Sequence, residues 1–338
     1  MGTTKTAING FGRIGRVTFR NAISKNNGID VVAINDLTST ETLAHLLKYD
    51  SVHGKFDGEV SAKANELIVN GNHIPVYAER DPASLNWSKH DVDVVLESTG
   101  LFRTEETAGK HLEAGAKKVI ITAPAKGNIK SVVLGVNDSI LDGSEKIISN
   151  ASCTTNSVAP MLKIILDHWG IETAFITTIH AYTGDQRLHD APHKDLRRAR
   201  AAANSIIPTT TGAAKAVTNI FPKLDGKIGG AGIRVPVIDG SLTDLTIFTT
   251  SQVTPEEINN KFKNAANGEL KGILEFTSDP IVSTDIIGNS HSCIFDSQLT
   301  SVIGNMIKIV GWYDNENGYS CRLVDLVQKV SKMQSVTL

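Results

Sequence analysis

A single thiol stands within a run of small polar residues near the middle of the chain, where positions 149–156 read SNASCTTN. Apolar residues between Val158 and Trp169 follow at i, i+3, i+4, i+7, i+8 and i+11, which predicts a helix with one buried face. Ser, Thr and Asn are typical of helix N-caps, so we expect Cys153 at or near the positive end of that helix. The thiol is therefore a candidate nucleophile, although a lone cysteine is more often a small core residue.

The helix end alone cannot activate this thiol. A free cysteine has a pKa of about 8.5, and a helix terminus contributes at most about 2 kcal/mol, or roughly 1.5 pKa units. Since the thiol would then be about half ionised at best at pH 7, a basic or cationic partner is needed. His180 is the best-placed candidate, because it ends a predicted strand at 174–180 and polar residues follow it. The alternative is that His180 is a structural histidine.

A second pattern, near the N-terminus, has the residue types that hold a dinucleotide. A predicted strand at 5–9 is followed by a GxGxxG motif, whose glycines are Gly10, Gly12 and Gly15. Glycines there allow a tight turn and let backbone N–H groups approach a pyrophosphate at the start of the next helix. Asp36 ends the next predicted strand, and a carboxylate there binds ribose hydroxyls and repels a 2′-phosphate. The motif therefore favours NAD over NADP, unless the glycines only pack the helix on the strand.

Two further features suit anions. The stretch IPTTTGAAK at 207–215 places hydroxyls and a glycine ahead of an alanine-rich helix start, which is a typical anion cradle. Arg234 stands in the apolar segment IRVP, where an unpaired charge would be costly, so it needs a partner. A basic run interleaved with Asp190 and Asp195 predicts a solvated or interface surface rather than nucleic-acid contact. Its members are Lys194, Arg197, Arg198 and Arg200.

The predicted elements that position these residues change character along the chain. Short strands alternate with helices in the first half, which predicts a parallel sheet. A hairpin interrupts it at 66–77, where Asn70-Gly71 separates two apolar runs. Later runs of alternating residues favour a mixed or antiparallel sheet, and an amphipathic helix closes the chain. The predicted strands are 5–9, 30–35, 92–97, 118–122, 132–136, 174–180, 241–251 and 306–313, and the helices include 13–25 and 104–115.

The predicted fold class is therefore α/β, with a Rossmann-type parallel-sheet domain and an α+β catalytic domain whose sheet is mostly antiparallel. We expect the first domain at 1–152, completed by a C-terminal helix at 316–338, and the second at 153–315.

Composition narrows the class of protein. The 338 residues are 41% hydrophobic and 21% charged with a net charge of −2, which argues against a nucleic-acid or membrane-surface protein. The three widely spaced cysteines predict neither a disulfide framework nor a metal site, and Cys293 and Cys321 are interpreted as core residues. Because apolar runs stay well below about 18 residues and a signal-peptide pattern is lacking, we expect a cytoplasmic protein.

Essentially the whole chain resembles phosphorylating glyceraldehyde-3-phosphate dehydrogenase of the bacterial glycolytic type. The resemblance rests on NGFGRIGR at 9–16, SNASCTTN at 149–156, DQR at 185–187 with DLRRARAAA at 195–203, TGAAK at 211–215 and WYDNE at 312–316. It implies that His180 is the base, that Cys153 attacks the aldehyde to give a hemithioacetal, and that the resulting thioester is cleaved by inorganic phosphate.

The resemblance also implies which residues bind ligands. Thr183 and Arg234 would hold the phosphate of glyceraldehyde 3-phosphate, with Arg198 assisting. Inorganic phosphate would be held by Ser152, Thr154, Thr211 and Gly212. NAD would contact Gly10, Gly12, Arg13, Ile14, Gly15, Asp36, Arg80, Ser98, Thr99, Gly100, Thr122, Asn315 and Tyr319. Asn315 would hold the nicotinamide carboxamide, and the assembly would be a homotetramer in which the basic run reaches a neighbouring subunit.

One departure from the family pattern bears on the chemistry, and two rival functions remain. Ser157 replaces a second cysteine that is common four residues after the nucleophile, and we expect the reaction to survive because the nucleophile and base remain. The close rival is erythrose-4-phosphate dehydrogenase, which shares the Cys–His pair and yields an acid. The rival of another class is an NAD-binding surface or adhesion module, as a second role.

Overall fold

A computed structural model describes residues 3–24 and 27–334 of the chain. Internal contacts divide the chain into two compact units. The first comprises Met1–Val132, Asp138–Ala151 and Ser320–Leu338, and the second comprises Val133–Asn137 and Ser152–Tyr319. Lys25 of the predicted first helix and residues 335–338 of the predicted last helix lie outside the described residues.

The first unit is built on a sheet with helices at its connections. Its strands are β1 (Thr4–Asn9), β2 (Ile29–Asn35), β3 (Tyr49–Asp50), β4 (Gly54–Lys55), β5 (Val60–Lys63), β6 (Glu66–Val69), β7 (Asn72–Tyr77), β8 (Val94–Glu97), β9 (Lys118–Ile121) and β10 (Ile147–Ser149). Its helices are α1 (Arg13–Ser24), α2 (Thr40–Lys48) and α3 (Glu105–Glu113).

The main sheet of this unit has the strand order β10-β9-β8-β1-β2-β7-β6-β5. The six strands from β10 to β7 run parallel, and β8 and β9 are buried along their whole length, as strands covered on both faces are. The predicted hairpin is present: β6 and β7 pair antiparallel around Asn70 (φ 50) and Gly71 (φ 78), both left-handed as a type I′ turn requires.

Strands β1, β2 and β8 end side by side at one edge of the sheet. Asn9 pairs in register with Asn35 on one side and with Glu97 on the other. The carboxyl ends of parallel strands are where α/β proteins bind ligands, so this edge places the GxGxxG loop and the loop after Glu97 together.

The predicted strand at 132–136 is wrong. The main chain turns there, since Asn137 N donates to Val133 O at 3.1 Å and Val133 N donates to the Asn137 side chain at 2.7 Å. Gly135 adopts φ 76, which an extended strand cannot contain. Val132, Val133 and Leu134 are buried without forming a strand, so the hydrophobicity of this stretch reflects burial rather than an extended backbone.

The second unit begins with the helix that follows the thiol. Its helices are α4 (Cys153–Trp169), α5 (Ala213–Ile220) and α6 (Pro255–Asn267). Its strands are β11 (Thr173–Ala181), β12 (Ile207–Thr209), β13 (Ile228–Val235), β14 (Ser241–Phe248), β15 (Leu274–Thr277), β16 (Cys293–Asp296), β17 (Ser301–Ile303) and β18 (Met306–Tyr313). The last helix, α7 (Asn317–Gln334), closes the described chain.

The sheet of the second unit is mixed and mostly antiparallel, as predicted. Its order is β12-β13-β11-β14-β18-β16-β15, with β17 pairing on β18, and only the β11–β13 and β15–β16 pairs are parallel within the described residues. The apolar face of α4 packs on this sheet through Val158, Met161 and Ile165, which share one buried cluster with Leu245 and Ile309. Full burial of each such side chain contributes roughly 1.5–3 kcal/mol to the free energy of folding, so these contacts hold α4 against the sheet. Among the described residues, every helix is too short or too polar to cross a bilayer.

Candidate active site

Cys153 is the first residue of α4. Ser152 is the N-cap, with extended backbone angles (φ −112, ψ 164), and its Oγ accepts the Thr155 N–H at 3.0 Å. The thiol therefore lies at the positive end of a 17-residue helix, where a developing negative charge is favoured.

The register of two neighbouring strands brings His180 and Arg234 together. They are direct partners in the parallel pair β11–β13, so their side chains emerge on the same face. Arg234 Nη1 lies 2.7 Å from His180 Nδ1, and the other ring nitrogen, Nε2, lies 3.5 Å from Cys153 Sγ. Thiol, imidazole and guanidinium thus form one cluster, although 81 positions (234 − 153) separate its ends in sequence.

The proton on His180 has two competing positions. Nδ1 also lies 2.7 Å from the Ala181 carbonyl oxygen, which itself accepts from Arg234 Nη1 at 3.0 Å. If Nδ1–H donates to that carbonyl, Nε2 is bare and can accept the thiol proton. If Arg234 instead donates to Nδ1, the proton sits on Nε2 and the ring cannot act as a base. Arg234 therefore controls which form of His180 faces the sulfur.

Burial disfavours a charge on either member of the pair taken alone. It raises the pKa of the Cys153 thiol, although the charge of Arg234 and hydrogen bonds from Thr154 oppose the rise. Burial, and then the charge of Arg234, lower the pKa of His180 to about 3. A proton shift from Sγ to Nε2 creates both charges at once, and their attraction offsets part of the desolvation. Burial therefore favours the neutral pair over a charge on one member alone.

Tyr313 also belongs to this cluster, although its sequence pattern did not mark it as a site residue. Its ring packs edge-on to His180 at 5.9 Å between centroids, and its hydroxyl contacts Thr154 Oγ1 at 3.0 Å and Thr178 Oγ1 at 2.9 Å. The hydroxyl of Thr154, predicted to bind inorganic phosphate, is thus engaged and buried. A tyrosine in an alternating strand is usually a core residue, so only its position in the fold reveals this contact.

The three residues predicted to hold the substrate phosphate share one carboxylate. Thr183 Oγ1 donates to Asp185, Arg198 Nη1 forms an ion pair with Asp185, and Arg234 Nη2 lies 4.0 Å from it. Burial raises the pKa of Asp185, but the Thr183 hydrogen bond and the charges of Arg234 and Arg198 outweigh it and hold that pKa below its ordinary value. Asp185 was not among the predicted site residues. Its carboxylate is the anion around which Thr183, Arg198 and Arg234 are grouped.

A second set of anion donors lies at the start of α5. Gly212 is its N-cap, and Ala213 N donates to Thr211 Oγ1 at 3.1 Å. A Cβ at Gly212 would meet no described atom within 4 Å, so the backbone there is open to a ligand. With Ser152 at the start of α4, these residues could hold a phosphate by helix N-termini.

The glycines of the first unit fit a dinucleotide. Gly10 adopts φ 91, and a Cβ there would lie 2.7 Å from Thr99 N, so only glycine permits this turn. A Cβ at Gly15 would lie 2.3 Å from Gly10 O, so this glycine lets α1 approach the strand. A Cβ at Gly12 would meet no described atom within 4 Å, which leaves room for a pyrophosphate at the N-terminus of α1 beside Ile14.

Two charged residues predicted to contact the cofactor already have partners. Asp36 accepts the Phe11 N–H at 2.8 Å and the Thr38 N–H at 2.9 Å, which ties the end of β2 to the glycine loop. Arg13 Nη1 forms an ion pair with Asp50 at 2.6 Å.

The remaining predicted cofactor residues fall into two sets. Ser98, Thr99 and Gly100 directly follow β8, and Thr122 follows β9, at the same edge as Gly10; Arg80 is exposed near that edge, after β7. Asn315 and Tyr319 belong to the second unit and are buried. The Asn315 Oδ1 accepts from Ser241 Oγ at 2.6 Å, and that hydroxyl accepts the Ala181 N–H, so Asn315 is linked to the strand of His180.

Comparison with known proteins covers both units. The family model described as "Glyceraldehyde 3-phosphate dehydrogenase, NAD binding domain" matches residues 4–105, and "Glyceraldehyde 3-phosphate dehydrogenase, C-terminal domain" matches residues 152–315. The chain is 57% identical over 331 residues to the glyceraldehyde-3-phosphate dehydrogenase of Thermotoga maritima, covering 97% of this chain and 99% of the relative. It is 56% identical over 329 residues to that of Geobacillus stearothermophilus, covering 97% and 98%.

Proposed function

The chain belongs to the glyceraldehyde-3-phosphate dehydrogenase family and is an NAD-dependent oxidoreductase, and we propose which reaction it carries out. It converts D-glyceraldehyde 3-phosphate and inorganic phosphate to 1,3-bisphosphoglycerate. The observation that carries the proposal is the 3.5 Å contact between Cys153 Sγ and His180 Nε2 at the start of α4, with Arg234 on the same face.

Covalent catalysis begins at the sulfur. Cys153 Sγ forms a bond to the aldehyde carbon while its proton passes through His180, which leaves a hemithioacetal with a hydroxyl group. His180 Nε2 then takes the hydroxyl proton as the carbon loses a hydride, and the product is a thioester on Cys153. When bound, NAD supplies the hydride acceptor. Phosphate oxygen attacks the thioester carbonyl, the C–S bond breaks, and the thiol and an acyl phosphate result.

Substrate binding changes the hydrogen bonding of His180 so that its Nε2 can act as the base. The phosphate of the substrate offers Arg234 an anionic partner in place of the neutral imidazole. Once Arg234 no longer donates to Nδ1, that nitrogen carries its proton to the Ala181 carbonyl and leaves Nε2 free to act as the base. Neutralising the guanidinium also raises the pKa of His180, because the charge of Arg234 is one of the causes that lower it.

We propose the predicted residues as the NAD site of this chain. Backbone N–H groups at the start of α1 would hold the pyrophosphate, and Asp36 would face the adenosine ribose, which disfavours NADP. The NAD-binding domain would be residues 1–152 with the C-terminal helix, and the catalytic domain residues 153–315.

We also propose a cytoplasmic homotetramer. Large apolar side chains are exposed in the segment that joins β11 to β12, namely Leu188, Leu196 and Ile206 at 73%, 81% and 69%. Apolar residues exposed to that degree fit burial against another subunit. Sedimentation equilibrium of the purified chain tests this, and a monomer at micromolar concentration would contradict it.

Omitting phosphate tests the reaction. We expect continued turnover of glyceraldehyde 3-phosphate and NAD to NADH only when phosphate is present, with an acyl phosphate as product; without phosphate, rapid NADH formation should stop at one equivalent per chain. Steady NADH formation without phosphate, with release of the free acid, would refute the phosphorylating step. Comparing kcat/KM for erythrose 4-phosphate in the same assay distinguishes the close rival, and we expect the three-carbon aldehyde to be preferred.

A further inference from the structure

A buried carboxylate that takes no part in the proposed reaction lies at the strand edge of the first unit. Glu97, at the end of β8, is completely buried, and so are its neighbours His111 on α3 and Trp87 at the start of the 3-10 helix Trp87–His90. A charged group at such depth is costly unless its hydrogen bonds are complete.

The donors on one side of Glu97 can be assigned from the backbone. Asn35 accepts the Glu79 N–H at 2.8 Å and donates to the Glu79 carbonyl at 2.9 Å, which fixes the orientation of its amide. Asn35 Nδ2 therefore donates to Asn9 Oδ1 at 2.7 Å, and Asn9 Nδ2 donates to Glu97 Oε2 at 2.5 Å. Both hydrogen bonds run in the same direction, from Asn35 to Asn9 and from Asn9 to the Glu97 carboxylate, so Asn9 is a donor to Glu97.

The donors on the other side are fixed by an indole. Trp87 Nε1–H can only donate, and it donates to His111 Nδ1 at 3.1 Å. His111 is therefore the neutral form with its proton on Nε2, which lies 3.1 Å from Glu97 Oε2. Thr99 N–H and Thr99 Oγ1 donate to the other oxygen, Oε1. Every partner of Glu97 is a donor, so the side chain is an ionised carboxylate on which four hydrogen bonds converge.

We propose that Glu97 is a positioning residue for the dinucleotide, an inference that rests on the proposed function. Its carboxylate joins Asn9, directly before Gly10, to Thr99, directly before Gly100, and through Asn35 reaches the residue before Asp36. These are the three loops that would bind NAD. The network fixes their backbones before the ligand arrives, which lowers the ordering cost of binding.

The test is a change of one oxygen to nitrogen. Glu97→Gln keeps the shape but sets an amide N–H against a fixed donor, and we expect the Kd for NAD to rise about tenfold or more. Alkylation of Cys153 by iodoacetamide in the absence of NAD, and kcat at saturating NAD, should stay within about twofold, because the defect lies in binding. Glu66→Gln is the matched control, since Glu66 pairs with His73 at 2.8 Å but both are exposed, and it should leave the Kd unchanged.

A charge exchange keeps the proposal falsifiable if the single variant folds poorly. Asn9→Asp combined with Glu97→Gln moves the carboxylate across the same hydrogen bond, and the new oxygen can also accept from His111 Nε2, which lies 3.4 Å from Asn9 Nδ2. We expect this double variant to fold and to bind NAD within about threefold of wild type.

Two results overturn the proposal: a folded Glu97→Gln protein with wild-type NAD affinity, or a double variant that is unfolded or binds NAD no better than the single one. Failure of the proposed function is distinguishable, because it would appear in the wild type as missing NAD binding or as multiple turnovers of oxidation without phosphate.

Discussion

Two buried histidines, one in each unit, differ in how completely their nitrogens are satisfied. His111 has an obligate donor on Nδ1, the Trp87 indole, and an acceptor on Nε2, the Glu97 carboxylate. His180 has two competitors for Nδ1, Arg234 and the Ala181 carbonyl, and a polarisable thiol at Nε2. The partners of the first ring fix the position of its proton, whereas those of the second allow two positions. Saturated hydrogen bonding positions a site, whereas competition for one nitrogen leaves a proton free to move.

The largest effect should come from replacing the Cys153 sulfur, whose proton His180 accepts. Cys153→Ser replaces the sulfur by a far weaker nucleophile, so we expect NADH formation to fall by about a thousandfold or more. NAD affinity, measured by calorimetry, should stay near the wild-type value, because the glycine loop is untouched. Surviving oxidation would show that another group is the nucleophile.

Arg234→Leu removes the competitor on the reactive histidine and should give the next largest effect. The substrate phosphate loses its cation, so KM for the aldehyde should rise by about tenfold or more. The pKa of His180, followed by NMR, should rise above about 3 because the charge of Arg234, the second largest of its three lowering causes, is gone, while burial keeps that pKa below the usual value. An unchanged titration of His180 would contradict the control that we assign to Arg234.

A smaller effect concerns the stability of the folded chain at acid pH. Because the pKa of His180 is about 3 in the folded chain and about 6.5 when unfolded, the unfolded state binds the proton more readily between these values. The free energy of unfolding should therefore fall as pH drops from 6.5 toward 3, by about 3 kcal/mol at pH 4 from this group alone. His180→Asn should remove that part of the loss in urea titrations at pH 7 and pH 4. Equal losses in the two proteins would show that His180 is not held neutral.

The sequence predicted those parts of the fold that depend on local pattern. The apolar stripe after Cys153 and the small polar residues around it predicted the thiol at or near a helix start, and Cys153 is the first residue of α4. The alternation of strands and helices indicated the parallel sheet, and Asn70-Gly71 indicated the hairpin. The apolar residues at 132–136 gave the wrong element, because hydrophobicity reports burial and Gly135 breaks the strand.

Contacts between distant segments of the chain could not be predicted from the sequence. Arg234 faces His180 because β11 and β13 pair in one register, and a shift of one residue would turn the side chains to opposite faces. Tyr313 and Asp185 had the residue types of a core strand and a polar loop, and only the fold brings them to the site. The Glu97 network joins residues up to 102 positions apart, so nothing local indicated it.

The most direct test of the Cys153–His180 account is to isolate the acyl-enzyme. The wild-type chain is mixed with glyceraldehyde 3-phosphate and excess NAD without phosphate, quenched in acid, and its peptides are weighed by mass spectrometry. We expect one phosphoglyceroyl group per chain on the Cys153 peptide, formed with one NADH and removed as an acyl phosphate when phosphate is added before the quench. An NADH burst with an unmodified Cys153 peptide, or an acyl group on another residue, would contradict the account.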